Sequence, residues 1–231
     1  MSEKHVAIVL AGVRGHRMHM DTPKQYIEID GKMLICHTID CFEKSFIDEI
    51  VVVAGPGEEE FFRKNIVEKY EYTKVTQIVP GGRERFHSVF NGLRAIEHAD
   101  YVYIHDGARC CVDEAILLRG RDCVKKNGTA VAAMPVKDTI KVVSKDGVVT
   151  ATPDRSALWQ IQTPQIFCFA DIKDAYEKMM NKGEQETITD DAMVMENFGE
   201  CAIHVFEGSY NNIKVTTQED LGFVKNILKF R

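Results

Sequence analysis

The sequence lacks the features that mark membrane-bound and nucleic-acid-binding proteins. It contains no apolar run long enough to span a bilayer. Its formal net charge is -6 and its pI is about 5.8. Because proteins that bind extended nucleic acids usually present a net basic surface, this balance argues against such a partner. We therefore expect a globular protein that contacts neither a membrane nor nucleic acid.

Disulfide and zinc patterns are also missing. The seven cysteines are an odd number, and they form no CxxC pair. This usage fits neither a disulfide framework nor a zinc ribbon, and it favours the reducing cytoplasm. We find no internal repeat or low-complexity tract, and 231 residues suffice for one full core. We expect one domain over residues 1–231.

The two best-known phosphate-binding loops are absent, because neither GxGxxG nor GxxxxGK[ST] occurs. Instead, residues 6–10 form an apolar run typical of a strand buried on both faces, and Gly12 and Gly15 follow it. Three cations lie within the next stretch: Arg14, Arg17 and Lys24. Backbone amides of a glycine turn, together with cations, favour binding of a triphosphate. A strand followed by glycines can equally serve the turn alone.

The segments LAGVRGHRM and PKQY together resemble the nucleotidylyltransferases that join a nucleoside triphosphate to a sugar or polyol phosphate. Within them, the sequence is most similar to the 2-C-methyl-D-erythritol 4-phosphate cytidylyltransferase family, whose motifs occur in order along nearly the whole chain. The resemblance implies that the following residues bind CTP: Ala11, Gly12, Val13 and Gly15. It implies catalytic roles for Arg17 and Lys24. Val13 departs from the family, which has a glycine there, and its side chain can crowd the nucleotide.

The resemblance implies an α/β fold: a three-layer α/β/α sandwich on a Rossmann-like, mostly parallel twisted sheet with a projecting β-hairpin arm. The alternation of predicted elements supports this independently. The predicted strands cover residues 6–10, 49–54, 75–79, 101–105, 130–135 and 201–207, and the predicted helices 33–42, 58–70, 83–96, 113–127 and 169–181. Gly128 is suited to end one helix, and a capping box of Thr217 and Asp220 to begin the last.

Two glycine-containing segments follow predicted strands, at the sheet edge where open α/β folds bind ligands. GGRERFHSVFNGL resembles a family segment whose backbone and serine hydroxyl contact cytosine. This implies that Gly82 and Ser88 bind CTP and that Arg85 shapes the loop. His87 departs from the family, which often has an acidic residue there.

Asp106 ends another predicted strand, where a carboxylate can hold a divalent cation against phosphate oxygens. An Asp-Gly pair is in isolation just as consistent with a simple turn. HDGARCC resembles the family's HDAARP, which implies that Asp106 binds Mg2+ or another divalent cation and that Arg109 faces the acceptor phosphate.

Residues 136–154 alternate branched and polar side chains around Lys145-Asp146-Gly147, a strong hairpin signal. An exposed hairpin tends to meet a partner chain. The resemblance implies a homodimer in which this arm carries Thr139 and Arg155 into the neighbouring site. The alternative is that both side chains are simply exposed to solvent.

Three later motifs complete the resemblance. TPQ implies that Thr163 donates to a phosphate, and NIKVT implies that Lys214 grips the acceptor phosphate as a catalytic residue. Arg155 is expected to act with Lys214. Thr189 has two interpretations, as an acceptor-binding residue and, with Asp190, as a helix cap.

The resemblance as a whole implies cytidylyl transfer from CTP to a polyol phosphate, 2-C-methyl-D-erythritol 4-phosphate. The acceptor oxygen is already anionic, so catalysis requires positioning and charge stabilisation rather than a protein nucleophile. One alternative is a ribitol-5-phosphate cytidylyltransferase. Another is a family member that binds CTP without turnover, motivated by the departures at Val13, His87 and Asn211.

Overall fold

The computed structural model describes residues 3–12, 23–183 and 188–230. The predicted residues Val13, Gly15 and Arg17 lie outside them. The strands are β1 (His5–Leu10), β2 (Glu28–Ile29), β3 (Lys32–Met33), β4 (Glu49–Ala54), β5 (Val75–Pro80), β6 (Tyr101–Asp106), β7 (Thr129–Pro135), β8 (Val142–Val143), β9 (Val149–Ala151), β10 (Trp159–Cys168) and β11 (Val205–Glu207). The helices are α1 (Leu34–Glu43), α2 (Glu59–Phe62), α3 (Arg85–Ala95), α4 (Glu114–Asn127), α5 (Phe169–Lys182), α6 (Asp191–Phe198) and α7 (Gln218–Lys229).

The central sheet has seven strands in the order β11-β7-β10-β6-β1-β4-β5. Four of its six strand pairings are parallel, and the two that involve β10 are antiparallel. The prediction of a mostly parallel sheet is confirmed. Because β1, β4, β5 and β6 run in the same direction, their carboxyl ends meet at one edge.

Helices cover both faces of this sheet. On β1, Ala7 and Val9 point to a core shared with α1 and α4, while Val6, Ile8 and Leu10 point to a second core shared with α3, α5 and α6. This alternation follows from the two-residue period of a strand. The predicted three-layer arrangement is confirmed.

The predicted hairpin is also present. Strands β8 and β9 pair antiparallel, and Gly147 in their turn has φ of 81°, a left-handed conformation that suits glycine. Four valines of the hairpin are each 48–63% exposed: Val142, Val143, Val148 and Val149.

Helix α7 anchors the segment that carries Lys214. Thr217 and Asp220 form the predicted capping box at its start. Val215 and Val224 are fully buried in a third apolar cluster together with the first turn of α1. The backbone on either side of Lys214 is therefore fixed by packing.

Two predicted elements differ from the structure. The helix expected over 58–70 begins as α2 and continues as a π-helix, Arg63–Glu68. The strand expected over 201–207 is reduced to β11, because the Thr129 hydroxyl donates to the Ala202 carbonyl at 2.7 Å and accepts from the His204 amide at 3.1 Å. These hydrogen bonds to the Thr129 side chain replace backbone hydrogen bonds of the strand ladder. Among the described residues, the helices lack the combination of length and apolarity needed to cross a bilayer.

Candidate active site

The site begins where β1 ends against β4. The Ala11 amide donates to the Val53 carbonyl at 2.8 Å. A Cβ atom on Gly12 would lie 2.7 Å from the carbonyl oxygen of Ala54, so only glycine fits this backbone contact. The predicted CTP-binding residues Ala11 and Gly12 are thus held on the sheet edge.

The loop between β5 and α3 is organised by its own side chains. The Gly82 amide donates to Ser88 Oγ at 3.0 Å, and the Ser88 hydroxyl lies 3.3 Å from the Glu84 carbonyl. His87 Nδ1 accepts from the Glu84 amide at 3.3 Å and completes a capping box on α3. The departure at His87 therefore has a local structural role.

Asp106, at the end of β6, is the centre of the site. Its buried carboxylate lies 2.7 Å from Lys214 Nζ, 3.3 Å from Arg85 Nε and 4.0 Å from Arg109 Nε. Burial alone would raise its pKa, but the charges of Arg85, Lys214 and Arg109 outweigh burial and hold the pKa of Asp106 well below its usual range. The structure thus brings the predicted metal ligand together with two residues predicted to bind the acceptor, Arg109 and Lys214.

Two cations, Lys24 and Arg109, connect this centre to the segment before α7. Lys24 Nζ donates to the Val215 carbonyl at 3.1 Å, and Arg109 Nη1 donates to the Asn212 carbonyl at 2.8 Å. Burial lowers the pKa of Arg109 despite its proximity to Asp106. Within the described ranges, Arg109 Nε is a buried donor without a hydrogen-bond partner. A narrow recess beside these groups is lined in part by Ala11, Lys24, Asp106 and Lys214.

Thr163 supports Asp106 from the neighbouring strand. Its hydroxyl accepts from the Asp106 amide at 3.1 Å and lies 3.1 Å from His105 Nδ1. Burial lowers the pKa of His105 to about 4, so its ring is neutral at pH 7. Because His105 Nε2 lies 3.2 Å from the Arg109 carbonyl, which can only accept, Nε2 carries the proton and Nδ1 accepts from Thr163.

This tautomer fixes the direction of the Thr163 hydroxyl. Its hydroxyl proton is directed at His105, and the side chain is buried, so the contact between Thr163 and a phosphate stays a prediction. Thr163 fixes the backbone from which the Asp106 carboxylate projects.

The remaining predicted residues lie outside this cluster. Thr139 and Arg155 are exposed in and beside the arm, and Arg155 Nη1 donates to the Lys137 carbonyl at 2.8 Å. At α6, the cap is Asp190, which accepts from the Met193 amide at 2.9 Å. Thr189 does not cap this helix.

Sequence reasoning missed the second carboxylate of the site. Asp191 is fully buried, and both of its oxygens accept from Arg85, at 2.9 and 2.8 Å. It directly follows the half-buried cap Asp190 in an Asp-Asp pair, and a pair of this kind carries no signal of which member is fully buried. The sequence motif predicts only that Arg85 shapes its loop.

The site offers a divalent cation one protein ligand, the Asp106 carboxylate. The described residues contain no group of three His, Cys, Asp or Glu side chains that could cage a metal. Asp106 is one carboxylate beside a cationic recess, which is suited to Mg2+ that takes its remaining ligands from phosphate oxygens and water.

Comparisons with known proteins point to one family. A family model described as 2-C-methyl-D-erythritol 4-phosphate cytidylyltransferase matches residues 5–230. The chain is 44% identical over 226 residues to the protein of that name from Lachnospira eligens, covering 97% of this chain and 99% of the relative. It is 45% identical over 233 residues to the one from Alkaliphilus oremlandii, covering 100% and 97%. The crystal structure of 4-diphosphocytidyl-2C-methyl-D-erythritol synthase from Anaerococcus prevotii matches with a TM-score of 0.84 and 34% identity, covering 98% of this chain and 96% of that chain.

Proposed function

The chain belongs to the 2-C-methyl-D-erythritol 4-phosphate cytidylyltransferase family, and from that membership we propose that it transfers a cytidylyl group from CTP to 2-C-methyl-D-erythritol 4-phosphate. The products are 4-diphosphocytidyl-2-C-methyl-D-erythritol and pyrophosphate. The observation that carries the proposal is the cluster at Asp106, where three cations surround one carboxylate beside Lys24.

The charge of this cluster suits two anionic substrates. The cations Arg85, Arg109 and Lys214 outnumber the carboxylates Asp106 and Asp191 by one, before Lys24 is counted. A triphosphate and a phosphate monoester that approach one another repel, and an excess of positive charge in a partly buried site offsets that repulsion.

The reaction needs no protein nucleophile. The acceptor's phosphate oxygen attacks the α-phosphorus of CTP in line, and pyrophosphate leaves on the opposite side. In this proposal Arg17 and Lys24 stabilise the negative charge of the transition state, while Lys214 and Arg109 hold the acceptor phosphate. The Arg109 Nε proton is suited to this role because it is buried and has no hydrogen-bond partner among the described residues. Ala11, Gly12, Gly82 and Ser88 surround the nucleotide.

Asp106 is the residue that would hold Mg2+. The ion would neutralise charge on the triphosphate and orient it. Lys214 lies 2.7 Å from the same carboxylate and is 35% exposed. When the carboxylate binds the ion, Lys214 is therefore well placed to turn toward an incoming phosphate.

Acceptor choice is tested by competition. The protein is given CTP, Mg2+ and equal concentrations of 2-C-methyl-D-erythritol 4-phosphate and ribitol 5-phosphate, and the nucleotide product is identified by mass. We expect the methylerythritol product in large excess. A preference for ribitol would make this chain a ribitol-5-phosphate cytidylyltransferase.

We also propose that the chain is a cytoplasmic homodimer, that residues 1–231 are one nucleotidylyltransferase domain, and that the arm at 136–154 reaches the partner's site. The exposed valines of the hairpin and the exposed positions of Thr139 and Arg155 support the arm's role. The structure describes all seven cysteines and no disulfide joins them, which supports a reducing compartment.

Subunit complementation tests the arm. Arg155→Ala and Lys214→Ala are each expected to abolish most activity. If Arg155 acts across the dimer, a mixed dimer has one site with both residues intact, and random exchange in an equal mixture should restore about one quarter of the wild-type activity. If both residues serve the site of their own chain, mixing restores nothing.

A further inference from the structure

We propose that Arg85, held in place by Asp191 and Tyr176, is a positioning residue that fixes the Asp106 carboxylate. The inference rests on the proposed function, because Asp106 is the group through which Arg85 would act. It assigns a role to two residues, Asp191 and Tyr176, that no motif of the sequence identified.

The geometry of Arg85 connects two carboxylates. Its two terminal nitrogens donate to the two oxygens of Asp191 at 2.9 and 2.8 Å, and its Nε lies 3.3 Å from Asp106 Oδ1. The guanidinium is planar, so a bidentate bond at one end fixes the direction of the N–H at the other. Asp191 thereby determines where Arg85 meets Asp106.

Asp191 is itself fixed from two sides. The Tyr176 hydroxyl of α5 donates to Asp191 Oδ1 at 2.6 Å, and both side chains are fully buried. Gln165 of β10 accepts from the Ala192 amide at 2.8 Å and donates to Asp190 at 2.9 Å, which holds the first turn of α6. A continuous chain of hydrogen bonds therefore runs from Tyr176 through Asp191 and Arg85 to Asp106.

The two cations nearest to Asp106, Lys214 and Arg85, differ in a way that separates their roles. Lys214 is 35% exposed and binds Oδ2 through a single flexible ammonium, whereas Arg85 is 20% exposed and bound on its far side by a fully buried carboxylate. When Lys214 turns to a substrate phosphate, Arg85 remains as the contact that orients Asp106. Asp106 would hold the Mg2+ that binds the triphosphate. The loss of Arg85 should therefore weaken the binding of CTP and leave the binding of the acceptor unchanged.

The test compares Arg85→Lys and Tyr176→Phe with the wild type. Lysine keeps the charge but cannot bind Asp191 bidentately and reach Asp106 together. Phenylalanine removes only the hydroxyl of a residue that is too deeply buried to touch a substrate. Arg94→Lys is the matched control, because Arg94 lies exposed near the end of the same helix α3.

Calorimetry with CTP and Mg2+, without acceptor, gives the Kd and the stoichiometry, and steady-state assays give kcat and both KM values. For Arg85→Lys we expect weaker CTP binding and lower kcat, each by about 10- to 100-fold, which is typical for loss of a supporting contact to a metal ligand. The stoichiometry and the KM for the acceptor should stay at the wild-type level. Tyr176→Phe should also raise the Kd for CTP and lower kcat, each by about 3- to 10-fold, which corresponds to the loss of one hydrogen bond. Arg94→Lys should match the wild type.

Three results would overturn the inference. Unchanged Kd with reduced stoichiometry in both variants would mean that the contacts serve only folding. A rise confined to the acceptor KM would mean that Arg85 binds the acceptor directly. Wild-type Kd and kcat values for Tyr176→Phe would mean that the chain of contacts from Tyr176 does not position Asp106. Since CTP binding is measured without acceptor, it decides the inference even if the wild type releases no pyrophosphate, and that second result would count against the proposed function alone.

Discussion

Replacement of Thr163 by valine isolates the role of one buried hydroxyl. Valine has nearly the same shape, so the change removes the oxygen without opening a large cavity. The oxygen accepts from the Asp106 amide at 3.1 Å and donates to His105 Nδ1 at 3.1 Å, and Thr163 is buried. The variant would therefore leave one buried donor and one buried acceptor without partners.

The expected cost follows from those two groups. A buried polar group that loses its partner destabilises a protein by about 1–3 kcal/mol, so the two groups together should make Thr163→Val lower the free energy of unfolding by about 2–6 kcal/mol. This is a large part of the roughly 5–15 kcal/mol by which natural domains are stable. The loss of the hydrogen bond from the Asp106 amide should also make the position of the Asp106 carboxylate less well defined.

Urea unfolding of Thr163→Val and the wild type measures this cost. Thr76→Val is the control, because Thr76 is an exposed residue of the edge strand β5, and its effect should stay within about 0.5 kcal/mol. A loss below about 1 kcal/mol for Thr163→Val, accompanied by a raised KM for the acceptor, would refute this reasoning. The hydroxyl would then serve a substrate phosphate, as its motif predicts.

Three further predictions concern pH, the glycine contact and a helix cap. The pKa of His105 is lowered by burial from 6.5 to about 4, so its contribution to stability is complete above pH 6.5 and is lost as pH falls from 6.5 toward 4. Urea unfolding against pH should therefore show the stability difference between wild type and His105→Gln shrink by up to about 3 kcal/mol over that range, and a constant difference would contradict this. Gly12→Ala should cost about 1–3 kcal/mol and weaken CTP binding, because its Cβ would lie 2.7 Å from a backbone oxygen. Gly222→Ala, in a helix with open space around it, should be stabilising by about 1 kcal/mol in the same assay. Thr217→Ala should lower the free energy of unfolding by about 1 kcal/mol through loss of the α7 cap, and an effect near zero would mean that the cap does not stabilise the helix.

Local patterns predicted most of the fold. The capping box of Thr217 and Asp220, the left-handed Gly128 after α4 and the turn at Gly147 each depend on a few neighbouring residues, and the structure has all three. The buried run of β1 likewise identified a central strand. These features are readable because their physics is complete within one short segment.

The contacts that organise the site are long-range and were not readable. Arg85 meets Asp191 across 106 positions of the chain, and whether Asp190 or Asp191 is buried depends on how α6 packs against β10 and α5. Thr163 is a second example. Its motif predicts a phosphate contact, but the hydroxyl proton goes to His105, 58 positions away in the chain.

The most direct test of the account is pyrophosphate release by the purified protein from CTP and Mg2+. The reaction is run with 2-C-methyl-D-erythritol 4-phosphate, with ribitol 5-phosphate and without acceptor. We predict rapid release only with the methylerythritol phosphate, which would also show that Val13 is compatible with turnover. Tight CTP binding without release in any of the three reactions would contradict the central claim and indicate a family member that binds CTP without turnover.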